Sequence, residues 1–587
     1  LIERQVIVPI LDPRDGDVED DASSTKRRSL LRLAGNMLAE ISLPKLAVVW
    51  FLLIGFPSLL LGSTPLLASV WMTTVLSKAF AAFAGIWSVL ALMLLVALGW
   101  LGGGQLLRLA ESSFWSLSAL AVQPAYMLFR ESFRHLVEAL LAGRIGPSGR
   151  AKARASTAAA SGLTVCGLAL GVIALAWPAT RWLGSMADLA APVQLLPAVL
   201  ANAVVLISAY LAAAAPVWGM ADATMAQPAD HPGFVFTEPG PRAWRIAHLS
   251  DLHTVGERYG FRIESGRSGP RGNARLDLVL ARLNEVHARE PLDVVLITGD
   301  LTDAGRSAEW AEFISALTPY PHLANRVVAL PGNHDVNVVD RASPARMEWP
   351  ASPTKRLRRL RTMCALEVLQ GTRLRVVDRE SGQLGDTLTE VLRPHAAAMA
   401  AFADTGSPRL WRSLSNLWLT VFPLIMPPET EDGLGVITLD SNAETHFSFT
   451  NALGLVTAAQ LRGLRGMVRQ YPRANWIVAL HHHVIEYPKP DSVFFERVGT
   501  ALINGTWFVR GLRQLADRVV IMHGHRHIDW IGHCAGLPII SAPSPVMASG
   551  CESDPYFYVH TLVPSGAGPI KLLPPQRVGL CCAAPAG

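Results

Sequence analysis

The hydrophobic pattern divides the chain in two. From Ser42 to Gly104 the only charged side chains are Lys45 and Lys78, and from Thr157 to Met220 they are Arg181 and Asp188. Four apolar runs lie inside these stretches: Pro44–Gly62, Ala79–Leu101, Ala158–Trp177 and Val193–Trp218. Each approaches the roughly 20 residues that a helix needs to cross a bilayer core. No soluble segment before Arg242 is large enough to bury them on every face. The pattern therefore predicts an all-α transmembrane region of about four helices over residues 42–220. Ser112–Phe129 is apolar but interrupted by Gln123 and Pro124 and flanked by Glu111 and Arg130, which fits an interfacial helix better than a fifth span.

A linker at 221–243, Pro-rich from Gln227 to Pro241, ends this regime. Beyond it, short β-branched or apolar runs alternate with polar, helix-like segments: RIAHLSD at 245–251, DVVLITGD at 293–300, RVVALPGNHD at 326–335, GVITLDSN at 435–442, WIVALHHH at 476–483 and VVIMHGHRH at 519–527. Such runs read as buried strands. Their alternation with helical candidates such as Arg275–Arg289 and Thr457–Gln470 gives an α/β domain, placed at 244–565 and followed by a tail at 566–587.

Composition sharpens the division. Charged residues make up 17% of the 587, against about 25% in a soluble chain, and the deficit sits in the N-terminal third. That excludes a disordered, collagen-like or nucleic-acid-coating chain, and with a net charge of only +5 no nucleic-acid polymer is expected as a partner. About forty mostly polar residues (the tail 1–41) precede the first run, too many for a cleaved signal, so a retained anchor is expected. Lys26, Arg27, Arg28 and Arg32 precede the first run, and Arg108, Arg130, Arg134, Arg144, Arg150, Lys152 and Arg154 lie between the second and third. The opposite loops offer Lys78 and Arg181. Basic loops stay cytoplasmic, which predicts an integral protein of the plasma or inner membrane with its C-terminal domain in the cytoplasm. The six cysteines include no C-x-x-C pair, so neither a zinc ribbon nor a redox motif is expected.

The strand ends carry the chemistry. Asp251 and His253 follow the first strand, Asp300 the second, Asn333-His334-Asp335 the third, His481 begins a triple histidine, and His525 and His527 follow Gly524. Loops at strand ends are where α/β sheets place ligands. Carboxylates, imidazoles and one amide, with no thiolate, suit manganese, iron or zinc. Asp251, Asp300, His253, His481, His525, His527 and Asn333 exceed what one ion needs, which points to a site for two.

The order D-x-H, G-D, G-N-H-D, H, G-H-x-H resembles the calcineurin-like metallophosphoesterase family, from about Trp244 to Leu562. The resemblance implies a four-layer α-β-β-α sandwich and two divalent or trivalent ions (Mn, Fe or Zn). Asp251, His253 and His527 would hold one ion, Asn333, His481 and His525 the other, with Asp300 bridging. It further implies hydrolysis of a phosphate ester by a metal-bridging hydroxide, with His334 as general acid and Asp335 fixing the tautomer of His334.

Protein phosphatases of this superfamily carry G-D-x-x-D-R-G and G-N-H-E; this chain reads GDLTDAG at 299–305 and ends its third motif in Asp335. That looks more like the phosphodiesterase branch, with a monoesterase or pyrophosphatase as the alternative within the family. A membrane-anchored sensor or scaffold that binds a phosphorylated ligand without turnover is the alternative from another class. Arg526, His482 and Asn337 are candidate substrate contacts, with His483 and Asn442 as further lining candidates. Residues 338–431 read as an insertion, either peripheral with its own small core or a lid facing the membrane through the basic piece PTKRLRRLRTMCALEVLQ. In the second case the substrate would be amphiphilic; a nucleotide is the other expectation.

Overall fold

The computed structural model describes residues 10–11, 47–48, 50–82, 123–141, 147–185, 191–234 and 243–580, the last with gaps at 258–259, 265–268, 341–345, 347, 349–351, 379–381, 489–499, 501, 548–554 and 565–569. The chain forms two compact units, one within residues 41–225 and one comprising Ala226–Gly587.

In the first unit, Phe56–Leu76, Gly149–Ala179 and Pro192–Ala223 are long and apolar enough to cross a membrane. The expected span Ala79–Leu101 lies outside the described residues from 83 onward. The first helix does not stop at Gly62; it runs from Phe56 to Ala82 through Pro65. Ser63 and Thr64 hydroxyls donate back to the Leu60 carbonyl (3.0 and 2.8 Å), the local side-chain bonding that accompanies a helix passing through a proline in apolar surroundings. Small residues set the closest approach of the other two helices. A Cβ on Gly162 would lie 2.7 Å from the Ala215 carbonyl oxygen, and one on Gly219 would lie 2.8 Å from that of Ala158. Ala158/Gly162 and Ala215/Gly219 thus form facing small-xxx-small pairs, which let helix backbones pack closely. Asn202 is fully buried; its amide donates to the Gly62 and Arg181 carbonyls and accepts from Arg181 N. The amphipathic helix Gln123–Leu140 turns its charge inward, pairing Arg130 with Asp222 at 2.7 Å.

The second unit holds two mixed sheets. Its strands are β1 (Ala229–Asp230), β2 (Trp244–Leu249), β3 (Val294–Ile297), β4 (Val327–Ala329), β5 (Arg375–Val377), β6 (Leu384–Thr387), β7 (Leu424–Met426), β8 (Leu434–Thr438), β9 (Asn475–Ala479), β10 (Val519–His523), β11 (Trp530–Cys534), β12 (Leu537–Ser541), β13 (Tyr556–Val563), β14 (Lys571–Leu572) and β15 (Gln576–Gly579). One sheet runs β1-β11-β12-β10-β9-β8-β7-β5-β6, the other β14-β13-β2-β3-β4 with β15 on β13. β2, β3 and β4 are parallel, as are β8, β9, β10 and β12. Parallel strands covered on both faces read as unbroken apolar runs, which is why VVLI and WIVA show no alternation. Ile246, Leu296 and Val328 of one sheet share a single core with Val436, Ile477 and Val520 of the other. The expected metallophosphoesterase-type α/β architecture is present.

Three expected boundaries change. β1 lies inside the expected linker and pairs with β11. β14 and β15 fall in the expected tail, yet extend the smaller sheet. Residues 338–431 are not peripheral, because β5, β6 and β7 continue the large sheet through the antiparallel β7–β8 pair. Nor does the basic helix Pro353–Gln370 face outward. Its apolar residues Leu357, Leu360 and Leu366 are fully buried, and so, nearly, are Lys355, Arg358 and Arg361. Arg358 pairs with Glu348, Lys355 donates to the Thr445 carbonyl, Arg361 to that of Gly305, and Gln370 bonds Ala329 through both N–H and C=O. Cations can enter a core when acceptors meet them there, and charge patterning alone does not reveal those acceptors.

Arg358→Ala would strand a buried carboxylate at Glu348. It should lower stability by about 3 kcal/mol in chemical denaturation while leaving vesicle binding unchanged. A lid facing the membrane would give the opposite pair of results.

Candidate metal centre

The carboxyl ends of β2, β3 and β4 in one sheet and of β9 and β10 in the other bring all seven expected ligands together. Five of them sit in left-handed backbone: Asp251 (φ 57°), His253 (φ 42°), Asp300 (φ 51°), His525 (φ 77°) and His527 (φ 53°). Among the described non-glycine residues only Ala535 shares that conformation. Such backbone costs of order 1–3 kcal/mol per residue and concentrates at functional sites. It is held by neighbouring loops: Asp251 N donates to Gly299 O, His253 N to Asp300 O and Thr254 N to Leu301 O. Glycine is needed at two motif positions by close approach. A Cβ on Gly332 would collide with Asp300, and one on Gly524 with Ser250 and Asp251.

Three donor groups result among the described residues, one of them His253, Asp303 and His334. Asp251, His253 and His527 converge on one side; Asp251, Asp300 and His481 form a group on the other. His481 Nδ1–H donates to the Thr298 carbonyl at 2.8 Å, which leaves Nε2 for a ligand. That Nε2 lies 3.1 Å from Asn333 Oδ1, 3.1 Å from His525 Nδ1 and 3.3 Å from Asp300 Oδ2. His525 gives its other nitrogen to the Thr500 carbonyl, so its Nδ1 also faces the centre. These two nitrogens share a hydrogen bond here, and both point to where a cation would sit. Asp251 Oδ1, His253 Nδ1 and Nε2, and His527 Nε2 are buried without a hydrogen-bond partner. Buried polar atoms left this way are costly; metal ions would satisfy them, so the residues present fit the two ions expected.

The charges are strongly coupled. Burial pushes Asp300 up, but His481, His334 and His253 outweigh it and hold the carboxyl well below its usual value. Burial pushes His481 down, while Asp300 and Asp251 raise it to about 9. His527 is likewise raised to about 9, by Glu264 and Asp251 against burial. His525, buried among His482, His481 and His483, is held well below the ordinary histidine value.

His334 lies on the β4 loop beside this group. Its backbone N–H donates to Asp300 Oδ1 (2.8 Å) and its Nδ1–H to the Asp303 carbonyl (2.8 Å). Asp335 does not fix the tautomer of His334, contrary to expectation. Its carboxylate accepts from Gly332 N, Thr302 N and Thr302 Oγ1 at 2.8, 2.9 and 2.6 Å, so it ties the β3 and β4 loops. Backbone donors compete well for a carboxylate placed at a helix start.

The expected substrate contacts turn elsewhere. Arg526 is buried against Glu486 (3.6 Å) and Tyr487. His482 is fully buried, bonds Ser441 Oγ at 2.9 Å and lies tilted against the His525 ring, centroids 4.4 Å apart. Asn337 donates to the Asn451 carbonyl, Asn442 to those of Pro331 and the Asp440 side chain, and His483 lies 3.8 Å from Glu486. Two carboxylates not expected from the sequence stand at the site. Asp303 Oδ1 is 3.6 Å from His253 Nδ1, and Glu264 Oε2 is 3.5 Å from His253 Nε2. The GDLTDAG spacing contains a signal for Asp303; nothing around Glu264 does.

A family model agrees with this fold and with the donor groups at its strand ends. Residues 245–381 match the calcineurin-like phosphoesterase model, so the chain carries a domain of that family, a class of metal-dependent phosphoric ester hydrolases. The match contains the first three motifs; the fold supplies His481, His525 and His527 beside them. Similar solved structures include a dimetal phosphatase from Danio rerio (12% identity, TM-score 0.31, 58% of this chain and 99% of that one). A Staphylococcus aureus protein assigned provisionally as a 5′-nucleotidase has 11% identity and a TM-score of 0.30, over 58% of this chain and 55% of that one. Purple acid phosphatase from yellow lupin seeds (Lupinus luteus) has 12% identity and a TM-score of 0.25, over 55% and 50%. The chain thus spans only about half the length of the last two. No curated protein matches it.

Asp300→Ala removes the carboxylate that stands between His253 (3.8 Å) and His481 (3.3 Å) and should lose bound metal, whereas His334→Ala should keep it; equal loading by elemental analysis would refute the bridging role. A second expectation concerns the loop carrying Asp300 and Asp303, which Glu309 pins by accepting from Ala304 N and Arg306 N (2.8 and 3.0 Å). Burial raises the Glu309 carboxyl to about 7. The folded state therefore prefers it protonated, and its contribution to stability falls as pH rises from the unfolded value of 4.5 through about 7. Glu309→Gln should flatten that fall in urea titrations between pH 5 and 8, taken as about that window.

Proposed function

We propose that this protein is a membrane-anchored hydrolase of phosphodiesters, with its catalytic domain on the cytoplasmic side. The observation that carries the reading is the pair of donor groups that share Asp251, with Asp300 between His253 and His481, at the parallel strand ends of both sheets. Metal ions held there would supply a nucleophile at neutral pH and neutralise charge on the phosphoryl oxygens. Asp251, His253 and His527 would hold one ion and Asn333, His481 and His525 the other, with Asp300 between them. His334 is set as the proton donor to the leaving oxygen. Its Nδ1–H is committed to the Asp303 carbonyl, so Nε2 is the nitrogen left to reach the ester.

Electrostatics favours the diester. Asp251, Asp300, Asp303 and Glu264 crowd the centre, and Arg526 is turned to Glu486. Two divalent ions would offset those four carboxylates, so the choice rests on the second charge of a monoester, toward which Arg526, turned to Glu486, is not aimed. The GDLTDAG motif, lacking the arginine of protein phosphatases, supports the same choice. Anchoring is supported by the three apolar helices, and the cytoplasmic side by Arg130, Arg134, Arg150, Lys152 and Arg154 between the candidate spans. An enzyme tethered there meets amphiphilic phosphodiesters at the bilayer surface as well as nucleotides.

With bis(4-nitrophenyl) phosphate and 4-nitrophenyl phosphate compared on the metal-loaded protein, kcat/KM for the diester should be about tenfold higher or more, equivalent to about 1.4 kcal/mol. Equal values, or preference for the monoester, would contradict the diester reading.

A further inference from the structure

Glu264 belongs to none of the five strand-end motifs, yet its carboxylate stands at the open side of the Asp251/His253/His527 group. Its Oε2 is 3.5 Å from His253 Nε2 and 3.6 Å from His527 Nε2, while His527 Nε2 is 3.4 Å from Asp251 Oδ1. Donors about 2.1 Å from a tetrahedral ion are separated from each other by about 3.4 Å. The spacing of Glu264 from both imidazoles is therefore that of a fellow ligand.

The position is built by the loop and does not depend on a free side chain alone. Ile263 N, one residue earlier, donates to Asp303 Oδ2 at 2.7 Å, and the other oxygen of Asp303 faces His253. Arg262, fully buried, donates to the Pro270 carbonyl. Phe261 bridges to Arg271, whose guanidinium lies 4.4 Å above the Phe261 ring. Asn273 bonds both backbone groups of Val255. The loop is closed at its base and tied to Asp303 beside Glu264. The carboxylate itself retains 30% side-chain exposure, which puts it on the solvent side of the group.

We propose that Glu264 is an additional metal ligand, joining Asp251, His253, His527 and the bridging Asp300 at one of the two ions. This rests on the reading of the site as a two-metal centre. It makes the two positions unequal: the Glu264 side gains a charged ligand that the Asn333/His481/His525 side lacks, and so holds its ion more firmly.

The test is metal binding to the full-length protein, stripped with a chelator and titrated with Mn2+, bound ions being counted by elemental analysis. Wild type should take up two ions, one more tightly than the other. Glu264→Gln should weaken the tighter site about tenfold or more and leave the other unchanged, with an unaltered circular dichroism spectrum and melting temperature. Glu264→Asp, which keeps the charge but draws it back by one methylene, should fall between. Two ions in wild type and the same affinities in Glu264→Gln would overturn the role of Glu264 while leaving the metal centre standing. A wild-type protein that binds no ion would overturn the centre and this ligand with it.

Discussion

The structure turns on one buried carboxylate. Asp300 leaves the end of β3 in left-handed backbone and places its oxygens 3.3 Å from His481 of the other sheet, 3.8 Å from His253 and 2.8 Å from the backbone N–H of His334. A lone buried anion is expensive unless paired. Here imidazoles from both sheets pair it, and the same crowding leaves several ring nitrogens and carboxylate oxygens without ordinary hydrogen bonds. The arrangement is costly as a protein interior and economical as a metal centre. The strained backbone, the glycines at 332 and 524, and the ties through Asp335 and Glu309 all serve to hold this group in place.

Much of that centre was legible in the sequence. The seven candidate ligands were readable because each follows an apolar run that folds as a buried parallel strand, so position along the chain translated directly into position in the fold. His481 was chosen over His482 on the resemblance, in whose family the ligand histidine follows the apolar strand, and in the fold His482 turns to Ser441. What escaped was set by contacts without sequence period. Glu264 lies on a loop anchored by Arg262, Asn273 and Asp303, and no spacing rule connects it to His253. Asp335 sits in a motif, but its backbone partners at 302 and 332 come together only in three dimensions. Arg526, between two ligands, looked like a phosphate contact; the bend that aims His525 and His527 inward sends it toward Glu486.

The same limit explains residues 338–431. Basic residues at 355, 358 and 361 on a helix have the composition of a surface element. Their burial depends on Glu348, the Thr445 carbonyl and the Gly305 carbonyl, each distant in sequence. In the apolar unit the informative residues are the small ones. Gly162 and Gly219 mark where helices touch, and Asn202 marks where a buried amide joins Gly62 to Arg181. Charge counts predicted apolar helices there but not their contacts.

In the proposed function these residues act through metal ions. The most direct measurement is phosphodiester hydrolysis by the chelator-stripped protein as Mn2+ is added back stepwise. Turnover should be absent in the stripped protein and rise to a plateau at two ions per chain. Turnover that survives complete removal of metal, or a plateau reached at one ion, would contradict it.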